Sequence, residues 1–286
     1  MKSKTIRIGG VPEHFNLPIH LAIEQGEFEK RGVNIEWITY KGGTGQMTKA
    51  LENDETDLCI LLTEGITQSI IKGNPSKIIS NYVISPLIWG IHTGANNSLT
   101  HHEDIYDKKY AISRFGSGSH LMAIVDANSQ AQQIQKSQFN IIKNLDGALE
   151  SLQRQETDVF YWEKYTTKPY VDAGQLKRIG EYLTPWPCFV IAATDKILQK
   201  DPKSVIRILR TIHDATDRFM HNLDMIPLVS QRYHQKLSDV EAWYARTEWA
   251  IHSWVSEQML NHVVSSLQAA KVLEQNITTP QLTWKG

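Results

Sequence analysis

The sequence predicts an α/β protein with largely parallel sheet, divided into two units. Three observations lead there. Strand-like and helix-like segments alternate through the first ninety residues, the strands read as apolar runs, and the same alternation restarts near residue 108. A chain of 286 residues is also long enough to build two cores of ordinary size.

In the first series "TIRIGGV" is a strand, and "LPIHLAIEQGEF" is a helix with Leu17, Leu21 and Ala22 at helical spacing and a stop near Gly26. "VNIEWITY" alternates as a strand does. In "KGGTGQMTKALENDETDLCILLTEG" a glycine loop opens a helix with Met47, Ala50 and Leu51 on one face, a polar turn closes it, and "LCILL" is a buried strand. The second series reads "KKYAIS" as strand, a Gly-Ser loop opening a helix, "FNIIKN" as strand, "LDGALESLQRQ" as helix and "TDVFYW" as strand. After "PWPCFVIAA", residues 185–193, nearly everything is helical, with apolar positions every three to four residues in "PKSVIRILRTIHDATDRFMHN" and "SEQMLNHVVSSLQAAKVLEQ". "VEAWYARTEWAIHSWV", 240–255, reads as a further helix that buries Trp243, Trp249 and Trp254. No low-complexity linker separates the units, so short strand-like crossings should join them.

Composition narrows the function classes. Forty-one per cent apolar and 21% charged residues describe a globular chain, and 30 Lys plus Arg against 31 Asp plus Glu speak against nucleic acid as a partner. No run approaches the length of a membrane span. Cys59 and Cys188 stand far apart, each inside an apolar run, and read as buried free thiols. "MKSKTIRIGG" passes from a basic stub straight into a strand, with no apolar leader core or cleavage site. A full-length chain of this kind is expected in the cytoplasm; a mature form with an added Met is expected in the periplasm or another extracytoplasmic space.

The most chemical-looking run is "RFGSGSH", Arg114 to His120. A Gly-Ser loop at a helix start offers amides without intrahelical acceptors, hydroxyls and the positive end of the helix dipole. It fits neither a P-loop, which needs Gly-Lys-Ser/Thr, nor the dinucleotide fingerprint, which needs a third glycine where Leu121 stands. An ordinary Ser-capped helix explains it equally well on its own. Context comes from the strand ends, where ligands of open α/β sheets bind. "PEHFN" at 12–16, "KGGTG" at 41–45, "TEG" at 63–65, "SGSH" at 117–120 and "YWEKY" at 161–165 would gather there, from both series, so a ligand touching them would lie between two lobes. A weak internal echo points the same way. "ALENDETDLCILLTEG" and "ALESLQRQETDVFYWEK" share a pattern in which Thr56 and Thr157 lie 101 residues apart, and each sets a carboxylate, Glu64 and Glu163, just past a buried strand.

These segments, in order and spacing, resemble the solute-binding proteins of ABC importers for sulfonates, taurine and nitrate, together with the related proteins for thiamine-pyrimidine precursors. The resemblance runs from about residue 5 to residue 270 and rests on motifs that are weak singly and specific in combination. It implies a two-lobed type 2 periplasmic-binding-protein fold, with a ligand cleft between the lobes, hinge closure and a helical C-terminal region. The first lobe would be 1–88 with 190–286, the second 89–189. It also implies a small-molecule ligand, no catalytic residues, no cofactor and no metal, and an ABC permease as partner if the protein is exported.

The family's cleft positions fall on His14, Phe15 and Asn16, on Gly43, Thr44 and Gly45, on Thr63 and Glu64, on Ser117, Gly118, Ser119 and His120, and on Trp162 and Glu163. Trp186, near the return crossing, is expected as hinge packing or as a ligand lid. A fungal relative makes the thiamine pyrimidine with a lysine-bound pyridoxal phosphate and a histidine along the segment matching "ILLTEGITQ", where this chain has neither; its cysteine cluster is represented by Cys188 alone. The alternative of a cytosolic enzyme of thiamine-pyrimidine metabolism on the same fold is therefore the weaker reading.

Each feature has a bland counterpart. A carboxylate at a strand end can simply cap a helix. Two acids in a cleft would repel a simple dianion and suit a ligand with an amine or ring N–H opposite a polar end, while Trp162 and Phe15 could stack on a flat ring. An aminopyrimidine-like or amino-sulfonate ligand thus fits better than nitrate. His101 and His102 read as a surface turn before a helix, with no partner at zinc-ligand spacing.

Overall fold

The computed structural model describes residues 5–275 and 280–285; the basic stub at 1–4 lies outside them. The chain begins with β1 (Ile6–Gly10), α1 (Leu17–Glu24), α2 (Glu27–Lys30), β2 (Ile35–Thr39), α3 (Thr44–Glu52), β3 (Leu58–Leu62), α4 (Thr63–Ile71) and β4 (Ser76–Val83). It continues with β5 (Ile88–Gly94), β6 (Tyr110–Ile112), α5 (Gly118–Ser129), β7 (Phe139–Ile141), α6 (Leu145–Gln153), β8 (Val159–Glu163), α7 (Lys164–Asp172) and β9 (Leu176–Leu183). It closes with β10 (Phe189–Thr194), α8 (Asp195–Lys200), α9 (Pro202–Met220), α10 (Met225–Tyr233), α11 (Leu237–Tyr244) and α12 (Glu257–Ala269).

Two five-stranded sheets result, ordered β2-β1-β3-β10-β4 and β7-β6-β8-β5-β9. Each is built to one plan. Three strands pair in parallel, and the fourth in line, β10 or β5, runs antiparallel to both of its neighbours. That strand is the first one entered after each passage between the sheets, so the antiparallel direction follows from the crossing itself. The crossings at 84–87 and 184–188 are short and hydrogen-bond to one another, from the Thr184 amide to the Leu87 carbonyl at 3.0 Å and from the Cys188 amide to the Ser85 carbonyl at 3.3 Å.

The strands are apolar because both faces are covered. All five residues of β3 are buried, and Ile208, Leu209, Ile212 and Phe219 of α9 are buried beside α1. Each such side chain contributes roughly 1.5–3 kcal/mol of burial. Cys59 and Cys188 are buried free thiols in this core.

Two parts depart from the sequence reading. The strands β4, β5 and β9 carry no clean alternation in "IWGIHTG" or "LKRIGEYL", and periodicity alone passes over them. The helix expected over 240–255 stops at Tyr244. Beyond it the chain bridges to the β4 edge, through Ala250 N–H to the Tyr82 carbonyl at 2.9 Å and Ile84 N–H to the Glu248 carbonyl at 2.8 Å. Covering an open edge wins over helix continuation there. Trp243 and Trp249 are buried as expected, whereas Trp254 is 64% exposed.

Candidate functional site

Four helices start at the facing ends of the two sheets. α4 and α7 follow β3 and β8 with no loop between, while α3 and α5 open from the Gly42–Gly43 and Arg114–Ser117 loops. Their first-turn amides have no intrahelical acceptors and bring positive dipole ends together. A small cavity of about 50 Å³ lies among them. Val11, Glu13, Gly42, Gly43, Thr44, Leu62 and Phe189 line it from the first sheet's side, and Leu87, Trp89, Ser113, Ser117, Gly118, Ser119, Trp162 and Glu163 from the second's. Gly118 makes the close approach of the two sides feasible: a Cβ there would stand 2.4 Å from Leu62 Cδ1 and 2.6 Å from Trp89 Cη2.

The cavity's charge comes from two carboxylates. Glu163 ends β8 and caps α7, accepting the Thr166 amide at 2.6 Å, yet burial raises its carboxyl above the usual range. Burial, together with the nearby Glu163, pushes Glu13 up to about 8. At neutral pH Glu13 is thus protonated and can donate as well as accept, while no Lys, Arg or His lines this cavity among the described residues. Trp162, stacked on Phe160 with ring centroids 5.2 Å apart, keeps a buried Nε1 that has no partner.

The serine loop is largely committed to itself. Ser117 Oγ donates to the Arg114 carbonyl at 2.7 Å and lies 3.0 Å from Ser119 Oγ, which accepts the Ser113 amide at 3.0 Å. Thr44 Oγ1 accepts the Leu62 amide at 3.1 Å. What these residues offer the cavity is backbone N–H more than hydroxyl.

Of the residues singled out in the sequence, Gly43, Thr44, Ser117, Gly118, Ser119, Trp162 and Glu163 meet at the cavity. The others lie elsewhere. His14 packs edge-on to Trp243 at 4.2 Å, and burial drives it down to about 3; Phe15 stands behind Phe189 at 5.2 Å; Asn16 Nδ2 donates to the Val11 carbonyl at 2.8 Å. This loop builds the wall and shows the cavity Val11 and Glu13 instead. Glu64 is fully buried with Oε2 accepting Trp186 Nε1 at 2.9 Å, and burial pushes it up to about 7. Thr63 Oγ1 donates to the Pro187 carbonyl at 2.5 Å. Thr63, Glu64 and Trp186 therefore pin the return crossing, where Trp186 is buried. Gly45 and His120 face a separate groove on the flank. His102 is no solvated turn residue: its Nε2 lies 2.6 Å from the buried Asp126 Oδ2, which Tyr161 OH also meets at 2.5 Å. Among the described residues no three metal-ligating side chains cluster.

The residues passed over are Glu13, Gly42, Trp89, Ser113 and the apolar wall of Val11, Leu62, Leu87 and Phe189. Glu13 had a signal, as the one carboxylate in the loop after β1. Trp89 had none, since the strand that carries it was not legible.

The model of the Ca3427-like PBP family matches residues 89–182. The structure of the Candida albicans CA3427 gene product, described as defining a new family with the generic periplasmic-binding-protein fold, superposes with a TM-score of 0.90 at 26% identity over 99% of both chains. This is a type 2 periplasmic-binding-protein fold. Two bacterial proteins share that fold at low identity. The alkanesulfonate-binding protein SsuA from Xanthomonas axonopodis pv. citri, bound to MOPS, gives a TM-score of 0.81 at 14% identity over 99% of both chains. The nitrate-binding protein NrtA from Synechocystis PCC 6803 gives 0.73 at 14% identity, over 96% of this chain and 83% of its own. A search of curated sequences finds no match. In this type 2 fold the cavity described above occupies the crevice between the sheets, and no helix among the described residues is long and apolar enough to cross a membrane.

Proposed function

We propose that this protein is a non-catalytic solute-binding protein that clamps a small, flat, donor-bearing molecule between two lobes, 1–88 with 190–286 and 89–189. One observation carries the reading: the inter-sheet cavity is lined by Glu13 and Glu163 and by the rings of Trp89 and Trp162, without a cationic side chain among the described residues. A sulfonate or nitrate, all acceptor, would face two acids there. A ring N–H or amine would instead meet acceptor oxygens on Glu163 and on the carbonyl of protonated Glu13, whose O–H could donate to a ring nitrogen, and its flat face would lie against tryptophan. The α3 and α5 amides suit a polar or weakly anionic opposite end. Aminopyrimidines of the thiamine-precursor type meet all of these demands, whereas amino-sulfonates meet the need for a donor and an anionic far end without a flat face.

The cavity is small beside the few hundred cubic ångströms of ordinary ligand pockets, so loading needs the lobes to part and close again about the two crossings. If the protein is exported, an ABC permease is the partner this reading assigns. The enzyme reading finds no lysine at the cavity for an aldimine, and Cys188 is a core thiol pushed well above its ordinary range by burial.

A thermal-shift panel tests the proposal, comparing an aminopyrimidine, taurine, an alkanesulfonate, nitrate and pyridoxal phosphate. The aminopyrimidine or taurine at a hundredfold excess over its Kd should stabilise the protein by about 2.7 kcal/mol. Stabilisation by alkanesulfonate or nitrate alone would contradict the donor-bearing ligand, and a visible aldimine band with pyridoxal phosphate would revive the enzyme.

A further inference from the structure

The two loops that form the cavity have a second face. Gly42, Gly43 and Thr44 look into the cavity and Gly45 away from it; likewise Ser117, Gly118 and Ser119 look inward, whereas Arg114, Phe115, Gly116 and His120 line a groove of about 940 Å³ on the flank. The groove has walls from both sheets' helices. Lys49 on α3 and Lys72 just past α4 stand on one side, Arg114 and Lys136 on the other, and Lys271 at the end of α12, against one lining carboxylate, Glu52.

A chain of net charge −1 thus gathers five cations in one concavity. None of the five is ion-paired among the described residues, although cations elsewhere pair readily, as Arg7 does with Asp57, Lys164 with Glu181 and Arg232 with Glu24. Arg114 is the most constrained. Its side chain lies across the α3 loop so closely that a Cβ on Gly42 would stand 2.2 Å from Nη2 and one on Gly45 2.7 Å from Cδ. Two glycines make room for a partly desolvated guanidinium that meets no carboxylate, an arrangement that is unfavourable until an anion reaches it. His120 accepts the Gly116 amide on Nδ1 at 3.1 Å, so the neutral ring carries its proton on Nε2 and is a further donor. Phe115 is exposed, with Lys136 Nζ 5.5 Å over its ring.

We propose that this groove binds a small polyanion of the oligophosphate class, which bridges Lys49 and Lys72 to Arg114 and Lys136 across the seam and holds the two lobes together. The groove's concave shape and volume match a small molecule, and the chain's overall charge offers no broad basic face to a membrane or nucleic acid. The occupant is distinct from the cleft ligand, whose cavity presents carboxylates.

Calorimetric titration of the full chain with inorganic tripolyphosphate tests this, in parallel with Lys72→Glu, Lys136→Glu, Arg114→Gln and the cleft variant Glu163→Gln. The expected result is saturable binding with one site, weakened at least about tenfold by either lysine reversal, weakened further as salt rises, and close to wild type in Glu163→Gln. Lys72 and Lys136 are surface residues, so these two variants keep the proposal testable should Arg114→Gln lose stability. Absence of binding, or binding that ignores the lysine reversals, overturns the proposal. So does capture by phosphatidylserine vesicles that Lys72→Glu abolishes, when tripolyphosphate shows no saturable site. Because Glu163→Gln reports on the cleft alone, failure of the cleft reading leaves this outcome unaffected.

Discussion

The β3–α4 and β8–α7 junctions are built alike and end differently. Each is a five-residue strand running straight into a nine-residue helix, and the two strands stand in equivalent places in their sheets, with Leu58–Leu62 and Val159–Glu163 offset by 101 residues. In that register Glu163 corresponds to Leu62, and both line the cavity. Glu64 falls two residues further on, inside the first helical turn, where it turns away to bind Trp186. A carboxylate at the last strand position faces the crevice; one a half-turn later is sealed in the core. Position within the junction, rather than residue type, decides which acid can touch a ligand.

The largest expected effect falls on the buried member. Glu64→Ala removes the acceptor of Trp186 and leaves a void, and should lower stability by about 2–4 kcal/mol in chemical denaturation. A loss below about 1 kcal/mol would erase the distinction between the junctions. Glu64→Gln keeps an acceptor and removes a charge, so it should be nearly neutral at pH 4.5 and increasingly stabilising relative to wild type as pH rises to about 7, with no further change above that.

The pH dependence sharpens the same contrast. Glu13 and Glu64 have folded values of about 8 and about 7, above the ordinary 4.5, so between these limits the folded state holds more protons than the unfolded chain. The stability these two groups supply is therefore fully present below about pH 4.5 and falls as pH rises, through about 7 for Glu64 and about 8 for Glu13, each group contributing up to about 1.4 kcal/mol per pH unit, with no further loss from either above its folded value. Glu13→Gln should lessen the slope all the way up to about pH 8 and remove it between 7 and 8, whereas Glu64→Gln should lessen it only up to about pH 7. Denaturation curves from pH 5 to 9 that keep their slope in both variants would refute this.

Smaller effects are expected at the serine loop. Ser119→Ala removes the acceptor of the Ser113 amide and should cost about 1 kcal/mol of stability as well as any ligand affinity, because the hydroxyl holds the loop together. Loss of affinity with an unchanged melting temperature would return the hydroxyl to the ligand.

Much of the fold was legible, because buried parallel strands and amphipathic helices write their own periods into "LCILL", "TDVFYW" and α9. The strands β5 and β9 were not; in β5, Gly90, His92 and Gly94 break alternation, a Cβ on Gly90 standing 2.3 Å from the His92 ring and one on Gly94 2.7 Å from the Leu152 carbonyl oxygen. The echo between the halves located two equivalent strands correctly. It misled about Glu64, because matching the two glutamates aligns them 99 residues apart while the strands align at 101. In sequence the loop "RFGSGSH" reads as a single run of amides and hydroxyls facing one ligand, but successive residues on a tight turn face opposite ways, and Arg114 and His120 turn to the groove. Read as one helix, 240–255 buries Trp254, and the edge pairing of 248–250 that ends that helix reading is a tertiary contact without a local signature.

The most direct test is isothermal titration of an aminopyrimidine of the thiamine-precursor type into wild type, Glu163→Gln and Glu64→Gln. The account predicts at least about a tenfold loss of affinity in Glu163→Gln, as expected when a charged acceptor is removed from a buried contact, and less than about a twofold change in Glu64→Gln. Equal losses in the two variants, or tight binding of an alkanesulfonate that neither substitution weakens, would contradict it.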